Sequence, residues 1–163
     1  SYLYHAKAYS PAIGDVVATS DQEAGTVDIV FIMADGAKPG PEMINGLKGY
    51  LQDKTIRPMT DLVNVSAPEE VPYTIGLTYY INRSDSAKAV TIQAAVAQAV
   101  ADYQTWQRAI GRDINPSKLV AMVMEAGAKR VTVTAPTYTA VAATKVSALQ
   151  GEATVTYGGL EDD

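Results

Sequence analysis

Apolar and polar positions alternate with a period of two in several short stretches of the chain, and recur every three to four residues in others. The stretch TVDIVFIM, 26–33, sets Val27, Ile29, Phe31 and Met33 on one face. Val30 and Ile32 make the other face apolar as well, and a strand that is apolar on both faces belongs in the middle of a sheet. DVVATS, 15–20, predicts a short strand before it, with DQEAG between them ending on Gly25 as a turn. The most regular alternation runs from Val71 to Asn82. Val71, Tyr73, Ile75, Leu77, Tyr79 and Ile81 interleave with Thr74, Gly76, Thr78 and Asn82, which predicts one half-buried antiparallel strand. Strands are also predicted over 62–67, with Val63 and Val65 inward, over 129–135, with Val131 and Val133 inward, and over 153–157, ended by Gly158-Gly159.

The helical period appears three times. Ile44, Leu47 and Leu51 form a stripe over 41–53, with Pro41 at the first helical position and Glu42 at the positive end of the dipole. Gly46 and Gly49 lie inside it and cost up to ~1 kcal/mol each relative to Ala, so packing has to hold this helix. Arg57-Pro58 closes the segment. A longer helix is predicted from a cap at Ser84 or Ser86 to about Ile110, carrying Ile92, Val96, Val100 and Tyr103 and stopped by Gly111. Asn115-Pro116 then sets a cap residue before a proline, which opens a helix carrying Leu119, Val120, Val123 and Met124 as far as Gly127. The first ten residues, SYLYHAKAYS, read as an incoming strand, and 137–151 fits neither period.

The elements order themselves as β-β-α-β and then β-α-α-β-β. This is an α+β chain of two small lobes, 1–70 and 71–163, each with a mixed or antiparallel sheet covered by helices. Pro68 and Pro72 bracket Glu69–Val71, predicted as an exposed joint where the lobes meet. An echo supports two lobes: VNVSAP at 63–68 and VTVTAP at 131–136 each follow a helix and end in proline, which cannot donate to a strand ladder. Alternating valine suits any strand, so the echo does not establish duplication. The predicted core of the second lobe joins Ile75, Leu77, Tyr79, Val96, Val100, Leu119, Val123, Val131 and Val133.

Composition narrows the function classes. The 163 residues carry a net charge of −5 and no run of Lys or Arg, which argues against nucleic acid and anionic membranes as partners. There is no cysteine, so disulfides, thiolate zinc sites and thiol catalysis are excluded. No apolar run approaches the ~18 residues of a membrane span, and no signal-peptide pattern opens the chain. It begins at Ser1 without a Met, as a piece of something longer would. Ten Tyr stand against one Trp and one Phe. Tyr joins an apolar body to a polar tip, which suits half-buried sheet faces and interfaces exposed before assembly.

Candidate chemistry is sparse. His5 is the single histidine and has no partners for a triad or a metal site. Glu69 and Glu70 are neighbours in an extended segment, so they point to opposite sides and make a poor acid–base pair. They read as a solvated joint. Asp61 reads as a turn residue before a strand, and Asp113 as part of the connection between helices. Glu161-Asp162-Asp163 reads as a disordered tail. DGAKPGPE, 35–42, opens a helix, but it lacks the ending of a phosphate loop. Pro41 removes a donor there, and Glu42 puts negative charge where phosphate would sit. Asn64 and Asn82 match the glycosylation pattern by chance. No catalytic, cofactor-binding or metal residue is assigned, and no cofactor is expected. The residues alone describe a contact protein. A sugar- or peptide-binding module using Tyr-rich surfaces and an enzyme of unfamiliar type are the alternatives.

The ordered stretches VVATSDQEAGTVDIVFIMADG, IRPMTDLVNVSAPEEVPYTI, IGRDINPSKLVAMVMEAGAKRVTVTAP and ATVTYGG carry a resemblance. Together they run from about Ser10 to Gly159. With RPMTD before a V-x-V strand, VPYTI opening the next, GRDI before a capped helix and a closing GG strand, the chain resembles the baseplate J-like family of contractile phage tails. It resembles the middle and C-terminal part, without the family's upstream region. The resemblance implies a structural wedge protein of the tail baseplate, in a phage, a prophage or a tailocin, assembled in the host cytoplasm and carried in the virion. It implies other wedge and hub proteins, and copies of itself in the baseplate ring, as partners. It implies no enzyme activity and no catalytic residues. The isolated piece is expected to be a monomer or weak oligomer.

Overall fold

In the computed structural model, which describes residues 1–53 and 61–163, strand β2 (Thr26–Met33) is the centre of a three-stranded sheet ordered β1-β2-β3. β1 (Ile13–Asp21) runs antiparallel to it and β3 (Leu62–Ser66) parallel. The central place follows from side chains that are apolar on both faces: Ile29 and Phe31 are fully buried, and Val30 and Ile32 nearly so. A parallel neighbour requires a crossover, and helix α2 (Pro41–Leu51) lies on it, with Pro41 in its first turn as the sequence predicts. Leu47, Leu51 and Val63 pack with Ile29 and Phe31 in one core. Arg57-Pro58 falls outside the described residues, as does most of the RPMTD motif.

The opening ten residues form a helix, α1 (Tyr2–Tyr9), where a strand was expected. Ser1 caps it by accepting from the Tyr4 amide. Tyr2, Ala6 and Tyr9 recur at helical spacing; Ala6 is buried, and Tyr2 packs on the same core. Tyr9 lies against the Tyr50 ring of α2, with centroids 5.3 Å apart. This contact explains Gly46: a Cβ there would stand 2.1 Å from the Tyr9 hydroxyl.

The predicted strand 71–82 is two strands. β4 (Glu69–Tyr73) pairs with β7 (Lys145–Leu149), and β5 (Gly76–Asn82) is the centre of a sheet ordered β6-β5-β8. β6 (Arg130–Ala135) is antiparallel to β5 and β8 (Thr154–Glu161) is parallel to it. The alternation survives the break, because Tyr73, Ile75, Leu77, Tyr79 and Ile81 all reach one core. Partner choice changes between Tyr73 and Gly76, where the Tyr73 carbonyl accepts from Gln150 and the Ile75 carbonyl from Thr154. Glu69–Val71 is therefore part of a paired strand, in which Glu69 and Glu70 are exposed, as the sequence reading expects of them.

Helices α3 (Ala89–Gln107) and α4 (Pro116–Glu125) pack on this core through Val96, Val100, Leu119 and Val123. Val131 and Val133 pack against it half-buried, since β6 is an edge strand. α4 starts as predicted, with the Asn115 side chain accepting from the Ser117 amide. α3 does not start at Ser84 or Ser86. A 3-10 turn, Arg83–Lys88, capped by Asn82, precedes it, and the helix ends at Gln107, short of Ile110. The stretch 137–151, which showed no period, contains β7. β8 continues through Gly158-Gly159 to Glu161, with Gly159 at φ +106° where its pairing with β5 shifts register.

The acidic tail is not disordered. Glu161 Oε1 lies 3.2 Å from Lys129 Nζ and its Oε2 2.5 Å from Arg130 Nη2, while Asp162 lies 2.7 Å from Arg83 Nε. Placing these carboxylates at the end of a paired strand beside three cations is a tertiary effect that a count of charges does not show. Contacts divide the chain into two compact units, Ser1–Glu69 with Ala143–Lys145, and Glu70–Ala142 with Val146–Asp163. The echoed strands β3 and β6 are both sheet edges that end before a proline, yet one is parallel to its neighbour and the other antiparallel.

Candidate interaction surfaces

The GRDI stretch, 111–114, lies between α3 and α4, and each residue in it has a separate task. Gly111 takes φ +78°, a conformation strained for any side chain. Arg112 donates to the Trp106 carbonyl at the end of α3, where helix carbonyls lack partners. Its guanidinium lies 4.2 Å from the Trp106 ring centroid. Asp113 accepts from the Tyr138 hydroxyl at 2.6 Å and from the Val141 amide at 2.8 Å, so it clasps the segment that leads into β7. These bonds hold the Asp113 carboxyl below its usual range, with the Tyr138 bond the larger cause, and Tyr138 is raised in turn. Ile114 is buried and exchanges two backbone hydrogen bonds with Thr139.

Beneath this loop lies Gln107, fully buried. Its Oε1 accepts from the Asn115 amide at 2.9 Å and stands 2.9 Å from the Tyr103 hydroxyl. Its Nε2 donates to the Asp113 carbonyl at 2.9 Å, and its own carbonyl accepts from the Ser147 hydroxyl at 2.9 Å. One amide side chain thus satisfies the turn between two helices. Burial raises Tyr103 above the ordinary phenol range and pushes Tyr73 up to about 12. Nothing in the apolar periodicity marks Gln107; the signal available was an amide on the buried stripe of α3, four residues after Tyr103.

Glu69 and Glu70 do point apart, as extended neighbours must. Glu69 lies 3.1 Å from Lys145 Nζ, and Glu70 lies 2.6 Å from Arg108 Nη1, which also donates to the Ser147 carbonyl at 2.9 Å. Glu70 is thus part of an ion pair and not simply solvated. His5 sits on α1 with the Tyr4 ring edge-on at 5.3 Å. Asp35 accepts from the Ala37 amide and closes a turn before α2. Asn64 donates to Asp28, and Asn82 caps the 3-10 turn. Among the described residues no group of three or more His, Cys, Asp or Glu is placed to hold a metal ion. Among them, too, no helix is long and apolar enough to cross a membrane.

The tyrosines do not form one open platform. Tyr73, Tyr79 and Tyr103 are buried. Tyr80 lies under the Arg130 guanidinium at 3.9 Å and against Gly158, where a Cβ would stand 2.4 Å from its ring. Tyr138 is exposed but spends its hydroxyl on Asp113. The polar groups named above thus hold the fold, while Leu3, Tyr4, Leu62, Val90 and Met124 are exposed apolar side chains.

This is an α+β architecture, and sequence comparison places it. The family profile described as the Baseplate J-like central domain matches residues 1–67, and that of the Baseplate J-like protein C-terminal domain matches 74–157. The chain belongs to the baseplate J-like family, as the resemblance read from its sequence implied. It is 26% identical over 136 residues to Baseplate protein J of Escherichia phage P2, covering 83% of this chain and 44% of that protein. The chain therefore spans less than half the length of that relative. Among solved structures, it is similar to a chain of the six-fold symmetrised cryo-EM baseplate of the anti-feeding prophage. That match has a TM-score of 0.61 and 15% identity over 90% of this chain and 35% of the other. At that identity the likeness bears on the fold alone.

Proposed function

We propose that this chain is a structural component of a contractile tail baseplate, in a phage or a prophage-derived particle, and works through protein–protein contacts. The observation that carries the reading is the ordered tiling of the chain by the central and C-terminal family profiles, 1–67 and then 74–157. The geometry agrees with it, since Glu70, Asp113 and Glu161 are engaged in holding strands and loops and not gathered into a reactive cluster. The partners are other wedge and hub proteins and further copies of this chain in the baseplate ring. The chain resides in the tail baseplate of the particle and is assembled in the host cytoplasm. Its lobes, 1–70 and 71–163, are the two domains of this piece, and the isolated piece is a monomer or weak oligomer. It turns over no small substrate and binds no DNA at physiological salt, consistent with a net charge of −5.

Deletion of residues 71–163 in the encoding phage or prophage tests the reading. The expected result is tails without baseplates under the electron microscope. Infectious particles with normal baseplates after that deletion would overturn it.

A further inference from the structure

Trp106 is the one tryptophan of the chain, in the last turn of α3. It is half-buried, with its ring 6.1 Å from that of Tyr103. Two cations converge on it: the Arg112 guanidinium at 4.2 Å and the Lys118 ammonium at 5.3 Å from the ring centroid. The six ion pairs described use Arg83, Lys88, Arg108, Lys129, Arg130 and Lys145, and neither Arg112 nor Lys118. The adjacent carboxylate, Asp113, is committed to Tyr138 and Val141. Among the described residues, then, these two cations have an aromatic face and a helix-end carbonyl but no counter-charge. That arrangement occurs on a chain whose overall charge is negative.

Arg112 has a structural task, capping α3. Lys118 has none of that kind: it stands on the first turns of α4 with its ammonium over the indole. The support beneath is rigid, because Gln107 pins the loop from below and Ile114 bridges to Thr139. Trp and Arg on a pre-organised support are the residue types that dominate protein interfaces. A carboxylate approaching the indole would meet both cations at once and gain charge-assisted hydrogen bonds. Two cations are too few to hold a phosphate backbone against counter-ions.

We propose that Trp106, Arg112 and Lys118 form a docking site for an acidic segment, rich in Asp and Glu, of a partner protein. The site rests on the reading of the chain as an assembly protein and gives that reading a location and a chemistry.

Trp106 is its own reporter. Poly-L-glutamate added to the protein at low salt should change the indole emission saturably, against the repulsion expected from the chain's net charge. The apparent affinity should fall about tenfold in Lys118→Ala, the scale of one interface contact, and should weaken as salt is raised. Poly-L-lysine and inorganic phosphate should leave the emission unchanged. A flat titration with polyglutamate, an equal response to phosphate, or an undiminished response in Lys118→Ala would overturn the proposal. Lys118 is chosen over Arg112 because its loss removes no helix cap, and circular dichroism verifies that the variant is folded. In particles, Lys118→Glu should reduce incorporation of the chain while Lys118→Arg restores it; normal incorporation of Lys118→Glu would count against the site. Normal baseplates after removal of 71–163 would sink the baseplate reading and leave the fluorescence result standing.

Discussion

Single side chains in this protein act mainly by satisfying backbone groups that the chain topology would otherwise strand. Gln107 is the clearest case. Gln107→Ala leaves the Asn115 amide and the Asp113 carbonyl without their partner, and each buried orphan costs about 1–3 kcal/mol. Urea denaturation should show a loss of roughly 3 kcal/mol, and a loss under about 1 kcal/mol would mean that water replaces the amide. Leu119 is fully buried between α4 and the sheet, and Leu119→Ala should cost ~2–5 kcal/mol in the same assay. Glu161 offers a pH readout. Arg130, then Lys129, holds its carboxyl down at about 2 from an ordinary 4.5. A carboxyl with a depressed folded pKa stabilises the fold above the ordinary value and loses that contribution as pH falls through the folded one. The stability gap between the wild type and Glu161→Gln should therefore be constant above pH 4.5 and close between 4.5 and about 2. A gap that does not change over that window would show that the pairs contribute nothing.

At the scale of elements, two glycines in one helix separate propensity from packing. Both lie inside α2, but nothing stands within 4 Å of a Cβ placed at Gly49, whereas a Cβ at Gly46 would meet the Tyr9 hydroxyl. Gly49→Ala should raise stability by up to ~1 kcal/mol, since it removes a helix-interior glycine. Gly46→Ala should fail to do so, because the gain is offset by displacing Tyr9 from Tyr50. Equal stabilisation by both, in thermal or urea unfolding, would show that the Tyr9 contact is unimportant. Strands show the same division. The alternation from Val71 to Ile81 states which side chains face the core, but the change of partner after Tyr73 is set by where β7 and β8 arrive.

For the whole molecule, the two compact units carry separate cores, one around Ile29, Phe31, Leu47 and Val63, the other around Tyr79, Val96, Tyr103 and Leu119. A unit with its own core can in principle fold alone. Residues 70–163, expressed by themselves, should give a cooperative thermal transition and protected amides in β5 and α3. A broad, non-cooperative melt would mean that the second unit depends on the first.

The sequence by itself determined the α+β class, the strand and helix faces that carry much of the second core, the central place of β2 and the start of α4. These follow from local rules: apolar periodicity, a cap followed by proline, and apolarity on both faces of one strand. It also carried the family, through an ordered set of short motifs. Tertiary structure alone decided that 1–10 is a helix, that 71–82 is two strands, that 137–151 holds an edge strand and that the acidic tail is pinned. Each of those depends on a partner far away in the chain: Gly46 and Tyr50 for Tyr9, Gln150 and Thr154 for the strand break, Lys129 and Arg130 for Glu161. The cluster at Trp106 belongs to the same group, because Arg112 and Lys118 reach one indole only once the turn between α3 and α4 is fixed by the buried amide of Gln107. Periodicity records which face a residue prefers, whereas pairing and charge placement are set by what the rest of the chain brings to that face.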